Sequence, residues 1–410
     1  MPLVVQKYGG TSVGSIEKIR NVAKRVIEIK EKGVDLVVVL SAMSGETDKL
    51  IRLAQEMTES PDPRELDVLI STGEQVTVAL FSMAVQSLGF KATSLLGYQV
   101  KIVTDQAYGR ARISEIDTRR IMEEIRRDKI VAVAGFQGLD EAGNITTLGR
   151  GGSDTTAVAV AAALKAQVCE IFTDVEGVYT TDPGICPKAR KLKKISYEEM
   201  LEMASLGSKV LEIRSVEFAK KFKVPIHVRS TFTDKEGTMV MQEDKSMEKI
   251  LVSGVTYNKN EARLTITKVP DRPGIASKIF IPISEAGIVV DMIIQNTSAE
   301  GLTDLTFTVP KVDFKKTMAI IKKVAKEIKA ERVLGDEHIA KVSIIGLGMR
   351  NHAGVATSMF SALAKEGINI MMIATSEIKI SCVIDEKYTE LAVRTLHEVF
   401  HLDEEPIGRG

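Results

Sequence analysis

Leu3-Val-Val-Gln-Lys-Tyr-Gly-Gly-Thr-Ser12 changes character twice within a few residues. Leu3, Val4 and Val5 read as a short buried strand, and Gly9 and Gly10 break the extended chain. Thr11 and Ser12 add hydroxyls. Apolar residues then recur at Ile16, Ile19, Val22, Ala23, Val26 and Ile29, close to the 3.6-residue helical period. A strand, a glycine turn and a helix follow in that order. Adjacent glycines let backbone N–H groups approach a phosphate without a Cβ in the way. The helix N-terminus adds partial positive charge, and Lys7 brings a full one. An ordinary strand-to-helix turn with an exposed lysine explains the same residues. The spacing is not that of a P-loop, which separates its glycines and ends in Lys-Ser/Thr.

The flanking sequence repeats this theme. Asp35-Leu-Val-Val-Val-Leu40 is a continuous apolar run, as in a strand buried on both faces. It leads into Ser41-Ala-Met-Ser-Gly45. Lys129–Ala134, Val168–Thr173 and Pro225–Arg229 read as further strands. Helical patterns separate the runs, as over Asp67–Leu88 and Asp154–Leu164. The alternation predicts a mainly parallel sheet with helices on both faces. Ligands bind at the carboxyl ends of such strands, where these small-residue loops fall.

Each loop admits two readings. Ser71-Thr-Gly-Glu74 opens a helix, and Glu74 is either an acid favoured by the helix dipole or a carboxylate for a ligand ammonium. Thr147-Leu-Gly-Arg-Gly-Gly-Ser-Asp154 sets three glycines around an arginine. Arg150 can grip a carboxylate bidentately. Ser153 or Asp154 can serve as an N-cap, which leaves the glycines unexplained. Thr173-Asp-Val-Glu-Gly-Val-Tyr-Thr-Thr-Asp-Pro183 mixes hydroxyls, acids and one ring, suited to a nucleotide or to a plain hairpin. Lys188–Lys194 is basic and reads as a solvated surface. Lys209 follows a glycine.

Composition narrows the class. The 410 residues suffice for two to four domains, and 44% are apolar. Fifty-five basic residues balance 55 acidic ones, so nothing points to nucleic acid or an anionic membrane as partner. Cys169, Cys186 and Cys382 match no metal spacing and no disulfide framework, as expected of a cytoplasmic protein. No uninterrupted apolar run reaches the ~18 residues of a membrane span.

Lys7-Tyr-Gly-Gly-Thr-Ser-Val13, Ser71-Thr-Gly-Glu74, Gly149-Arg-Gly-Gly-Ser-Asp154, Phe172-Thr-Asp-Val-Glu-Gly-Val-Tyr179 and Lys209-Val-Leu211 together resemble the motifs of the aspartate kinases, in their order and spacing. These belong to the amino acid kinase superfamily, and the resemblance covers essentially the whole chain. It implies transfer of the ATP γ-phosphoryl group to the side-chain carboxylate of L-aspartate, with Mg²⁺. Carried over by position, Lys7, Gly9 and Gly10 would hold ATP phosphates with the help of Lys209, and Tyr8 would belong to the same cofactor site. Thr173, Asp174, Tyr179 and Asp182 would line the nucleotide site. Ser41, Thr47, Glu74, Arg150, Gly151 and Ser153 would hold aspartate, and Asp154 would orient the lysines. A carboxylate nucleophile with a pKa near ~4 is already ionised at pH 7, so no histidine base is needed. Another kinase of the same fold, acting on acetylglutamate or uridylate, and a non-catalytic amino-acid sensor are the alternatives.

After residue 245 the pattern changes. Pro270-Asp-Arg-Pro-Gly-Ile-Ala276 aligns with Arg350-Asn-His-Ala-Gly-Val-Ala356 at an offset of 80 residues. Each copy reads βαββαβ, a ferredoxin-like sandwich, with a strand after its helix from Ile288 or Ile368. The expected division is a catalytic domain over 1–245 and two small domains over 246–330 and 331–410, and the resemblance implies that 250–261 can add strands to the second. The repeat resembles paired ACT domains, which implies feedback by lysine, threonine or both, and a homo-oligomer formed through these domains. Asp271, Ile275, Ala276, Asp291 and Gln295 would face an effector in the first copy. Val355, Ala356, Asn369 and Ile370 would do so in the second.

Overall fold

The opening strand, β1 (Leu3–Tyr8), runs near the middle of an eight-stranded sheet. It leads through α1 (Ile16–Lys30) to β2 (Asp35–Leu40), α2 (Glu46–Met57), α3 (Pro63–Ile70) and α4 (Thr72–Ser87). Then come β3 (Ala92–Leu95), β4 (Ile102–Thr104), β5 (Ile113–Ile116), α5 (Arg119–Arg126), β6 (Ile130–Ala134), β7 (Gln137–Leu139) and β8 (Ile145–Thr147). The series closes with α6 (Gly152–Leu164), β9 (Val168–Thr173), β10 (Lys194–Ser196), α7 (Tyr197–Ser205), α8 (Ile213–Phe222), β11 (Ile226–Ser230) and β12 (Thr238–Met241). The computed structural model describes residues 1–206, 210–244, 247, 250–297 and 301–405. Two units emerge: Met1–Val178 with Lys191–Met247, and Tyr179–Arg190 with Glu248–Gly410.

In the first unit the strand order is β10-β12-β11-β9-β1-β2-β6-β3. Every pairing is parallel except β11 with β12. β2 and β6 are buried almost throughout, as their unbroken apolar sequences require. α1 starts where Ser15 accepts the Lys18 N–H. Ile19, Val22, Ala23 and Val26 enter the core, whereas Ile16 stays 47% exposed. The first ten residues of α6 are all buried. Its Ala/Val composition lets a helix pass through so crowded a site.

Several elements depart from the sequence expectation. The run predicted as one helix over Asp67–Leu88 is two. α3 begins earlier, at Pro63, because Asp62 caps it by accepting the Arg64 and Glu65 N–H groups. Ser71 then breaks the run. Pro63–Ser87 as a whole has the length and mean hydropathy of a membrane span, with half of the apolar window buried. It carries the buried, hydrogen-bonded Asp67 and Glu74, which mark a core helix pair. A second small sheet, ordered β5-β4-β7-β8, was not anticipated; its strands have only three or four residues.

The second unit contains β13 (Gly254–Asn258), β14 (Glu261–Pro270), α9 (Ile275–Glu285), β15 (Ile293–Thr297), β16 (Leu302–Pro310), α10 (Phe314–Glu327) and β17 (Arg332–Asp336). It continues with β18 (Ile339–Ile345), α11 (Val355–Lys365), β19 (Met372–Thr375), β20 (Lys379–Asp385) and α12 (Thr389–Val399). One sheet is ordered β15-β16-β14-β17 and the other β13-β18-β20-β19. The first fold is βαββαβ in chain order. The second takes its fourth strand, β13, from before the first fold begins, antiparallel to β18. The strands expected from Ile288 and Ile368 start later, at Ile293 and Met372. Ile288 and Ile368 are instead buried beneath the helices that precede them.

Tyr179–Arg190 is built into the second unit. The Val255 N–H donates to the Thr180 carbonyl at 2.7 Å, the Tyr257 hydroxyl to Asp182 at 2.9 Å, and Thr180 Oγ1 meets His397 Nε2 at 3.0 Å.

Candidate active site

The carboxyl end of β1 carries the densest group of candidate residues. Lys7 Nζ lies 2.6 Å from Asp154 Oδ1, each side chain 12% exposed. Asp154 occupies the first turn of α6, where the helix dipole favours an acid. A Cβ on Gly9 would come within 3.3 Å of Lys7 Nζ, and one on Gly10 within 2.9 Å of the Ala42 carbonyl. At Gly10 fixed backbone leaves no room for a side chain, whereas at Gly9 a methyl would push on the Lys7 ammonium. The turn is laced locally: the Ser12 N–H donates to the Gly9 carbonyl at 2.9 Å, and the Ser41 N–H to the Tyr8 carbonyl at 3.2 Å. β1 therefore ends in a rigid glycine loop with a lysine, a carboxylate and a helix N-terminus together.

Tyr8 can meet a nucleotide only through its backbone. Its side chain is fully buried, stacked on Phe172 at 4.6 Å between centroids, and burial pushes its phenol far above the ordinary range. Its ring is core, so only its backbone is open to a nucleotide.

Glu74 is 3% exposed. Its Oε1 accepts the Ala42 N–H at 3.0 Å, while Oε2 is buried without a hydrogen-bond partner among the described residues. Burial raises its pKa to about 7, against the lowering effect of the Ala42 N–H. A buried carboxylate oxygen lacking a partner is costly unless a ligand supplies one. Ala42 thus joins the loop after β2 to both Gly10 and Glu74. Ser41 and Thr47, at the end of β2 and in the first turn of α2, are half-buried.

Arg150 is exposed and forms no hydrogen bond or ion pair with any described residue. Gly149 and Gly151, with φ of +80° and +64°, bend the chain on either side of it. A Cβ on Gly151 would collide with Glu212. Ser153 is buried against Gly135, whose Cβ would meet Ser153 Oγ at 2.7 Å. Thr173 donates to Asp174 at 3.1 Å on the exposed side of β9. Tyr179 and Asp182 fall in the second unit, where both Asp182 oxygens are engaged, by the Gly184 N–H and the Tyr257 hydroxyl. Lys209 lies outside the described residues.

Asp271, Ile275, Ala276 and Gln295 come together with Pro270, Arg272 and Gly274 around a cleft of ≈ 370 Å³ at the start of α9. Asp291 does not join them. It pairs with Lys341 of β18, which also meets Glu261 at 2.6 Å. Val355 and Ala356 begin α11 after Gly354, at φ +99°. Asn369 and Ile370 precede β19.

Such a sheet, with a lysine–aspartate pair and glycine loops at its strand ends and two ferredoxin-like folds later in the chain, defines an amino acid kinase carrying ACT domains. The amino acid kinase family model matches residues 2–230, and ACT domain models match 263–327 and 342–400. The aspartate kinase of Pseudomonas putida is 59% identical over 404 residues, covering 98% of each chain. The aspartokinase of Corynebacterium glutamicum is 47% identical, covering 98% of this chain and 97% of that one. E. coli aspartokinase III, solved with aspartate and ADP in the R-state, superposes with a TM-score of 0.80 at 26% identity. It covers 97% of this chain and 99% of its own. The same enzyme with lysine and aspartate in the T-state gives 0.78. The chain belongs to the aspartate kinase family, whose acceptor is a carboxyl group, as its motifs indicated.

Proposed function

We propose that the chain transfers the γ-phosphoryl group of ATP to the β-carboxylate of L-aspartate, giving 4-phospho-L-aspartate, under feedback by lysine, threonine or both. The Lys7–Asp154 pair beside Gly9 and Gly10 carries this reading. Two anions must meet, so the task is charge neutralisation and positioning, not proton removal. Asp154 holds Lys7 at the strand end, where its ammonium offsets charge on the transferring group. The Gly10 amide and the α6 N-terminus add dipoles, the Gly9 N–H being spent on the Phe172 carbonyl at 3.4 Å. Glu74 takes the substrate ammonium on its unpartnered Oε2, and Arg150 takes the α-carboxylate. Ser41, Thr47, Gly151 and Ser153 frame the substrate. Thr173 and Asp174 serve the nucleotide from the end of β9.

Among the described residues no cluster of three or more His, Cys, Asp or Glu could hold a metal. Mg²⁺ would enter on the nucleotide phosphates, with few protein carboxylates in its shell, and would supply charge neutralisation there. The cleft at α9 suits an amino acid effector: helix N–H groups beyond Gly274 face its carboxylate and Asp271 its ammonium. The equivalent turn at Gly354 is the second such place.

An ADP-release assay with L-aspartate, acetylglutamate, UMP and no acceptor tests the reaction. Turnover with aspartate alone is expected, stoichiometric with acyl phosphate trapped as hydroxamate. Turnover with another acceptor, or none with aspartate, refutes it. Repeating the assay with lysine and threonine, singly and together, tests the feedback, and light scattering tests the homo-oligomer.

A further inference from the structure

The segment carrying Arg150 is gripped from two sides by charges of opposite sign. Asp67 on α3 is fully buried. It accepts the Gly109 N–H at 2.9 Å, the Thr147 N–H at 2.8 Å and the Thr147 hydroxyl at 2.6 Å. Arg214 on α8 donates to the Leu148 carbonyl at 2.6 Å and to the Ala111 carbonyl at 2.7 Å. The anion takes only donors and the cation only acceptors, from the same two stretches of backbone. Those stretches are also joined directly, by the Ala111 N–H to the Thr147 carbonyl at 2.8 Å. Gly149 then sits against Gly109, where a Cβ would be 2.9 Å from its carbonyl.

A buried carboxylate with no cation beside it is a poor stabilising device. Burial raises the pKa of Asp67, and among the described residues it is held by hydrogen bonds alone. Its geometric effect is specific. It pins Thr147 three residues before Arg150, and Arg214 pins the residue between Thr147 and Gly149. With both in place, the flexible glycines leave Arg150 little freedom beyond its own rotamers, which is what a bidentate grip on a carboxylate needs.

We propose that Asp67 and Arg214 are positioning residues for Arg150, setting the affinity for the amino acid substrate and not that for the nucleotide. The inference rests on the reading of Arg150 as the ligand of the substrate α-carboxylate. Steady-state kinetics on the full chain test it in Thr147→Val, Asp67→Asn and Arg214→Lys, beside Arg150→Ala. Thr147→Val keeps the shape and both N–H bonds to Asp67 while removing one hydroxyl bond, so it folds even if the others do not. It is expected to raise the aspartate KM roughly fivefold to tenfold, as the loss of one charge-assisted hydrogen bond allows. The ATP KM and kcat should stay within about twofold, a split that a general loss of folded enzyme does not produce. Equal effects on both KM values, or none on either, overturn the proposal. If Arg150→Ala raises the aspartate KM and Thr147→Val and Asp67→Asn do not, the positioning role alone falls. If Arg150→Ala leaves the aspartate KM unchanged, the reading of Arg150 falls and takes this role with it.

Discussion

Gly73 packs directly on Ala42: a Cβ at Gly73 would lie 2.8 Å from the Ala42 methyl. The same alanine meets Gly10 through its carbonyl and Glu74 through its N–H. Two segments that are distant in sequence thus converge on one small residue after β2, and the start of α4 is set by how closely it approaches that residue.

Gly73→Ala should therefore be harmful despite its better helix propensity. The propensity gain is at most ~1 kcal/mol, whereas forcing a methyl into filled space costs about 1–3 kcal/mol. Urea unfolding should show a net loss of stability, and the aspartate KM should rise as Glu74 is displaced. A variant as stable as the wild type, with the same KM, would show that the contact does not constrain α4.

Lys7 and Asp154 can be separated by a double-mutant cycle. Lys7→Met leaves Asp154 nearly buried without its cation, at a cost of about 3–5 kcal/mol. Its turnover should fall by two orders of magnitude or more, since a positioned charge on the transferring group is lost. Adding Asp154→Asn should recover much of the stability and none of the activity. Recovery of turnover in the double variant would remove Lys7 from the chemistry.

Glu74 couples pH to both binding and stability. Its pKa rises from an ordinary 4.5 to about 7 in the fold. The folded state then holds the proton more tightly than the unfolded chain. Stability contributed by this group increases as pH falls from about 7 toward 4.5, and ionisation above 7 costs roughly 3 kcal/mol. Binding has the opposite sense, because the substrate ammonium needs the carboxylate. The aspartate KM should rise below pH 7 in the wild type. Glu74→Gln should show a high KM without that pH dependence, and greater stability at pH 8. An unchanged KM at pH 8 would take Glu74 out of the site.

Lys341 joins the two ACT folds. It is 3% exposed and pairs with Glu261 and Asp291. Burial pulls its pKa down, but the two carboxylates outweigh this and hold it above the ordinary value. The stabilisation is complete below the ordinary lysine pKa and is lost only as pH rises through the raised one. Lys341→Met strands Glu261, whose Oε2 already lacks a hydrogen-bond partner among the described residues, so a loss of about 3–5 kcal/mol is expected at pH 7.5. Asp291→Asn should cost less, because Asp291 is half-exposed. Calorimetry on the full chain measures both, and equal losses would contradict this ranking.

Much of the site was legible because its signals are local. Gly9, Gly10, Gly151 and Asp154 announce themselves by residue type within a few positions of a strand end or helix start. Asp67 did not, since an acid near a helix start has an ordinary explanation in the dipole. Arg214 stood in a helical pattern among other charges, with nothing to say that its partners were the backbones of Ala111 and Leu148. Asp291 was grouped with Gln295 by resemblance, yet its carboxylate turns to Lys341.

Alternating apolar runs, glycine loops and the 80-residue repeat were enough to specify a helix-covered parallel sheet and two small appended folds, while the expected chemistry came from the resemblance of the loop motifs. Side-chain period and turn chemistry act over a few residues, so a linear chain displays them directly. Folding alone settled that α3 and α4 are separate, that Tyr8 is sealed in the core, and that Asp67 and Arg214 clamp one loop. Each of those depends on which distant backbone groups and buried charges satisfy one another, and that pairing exists only once the chain is packed.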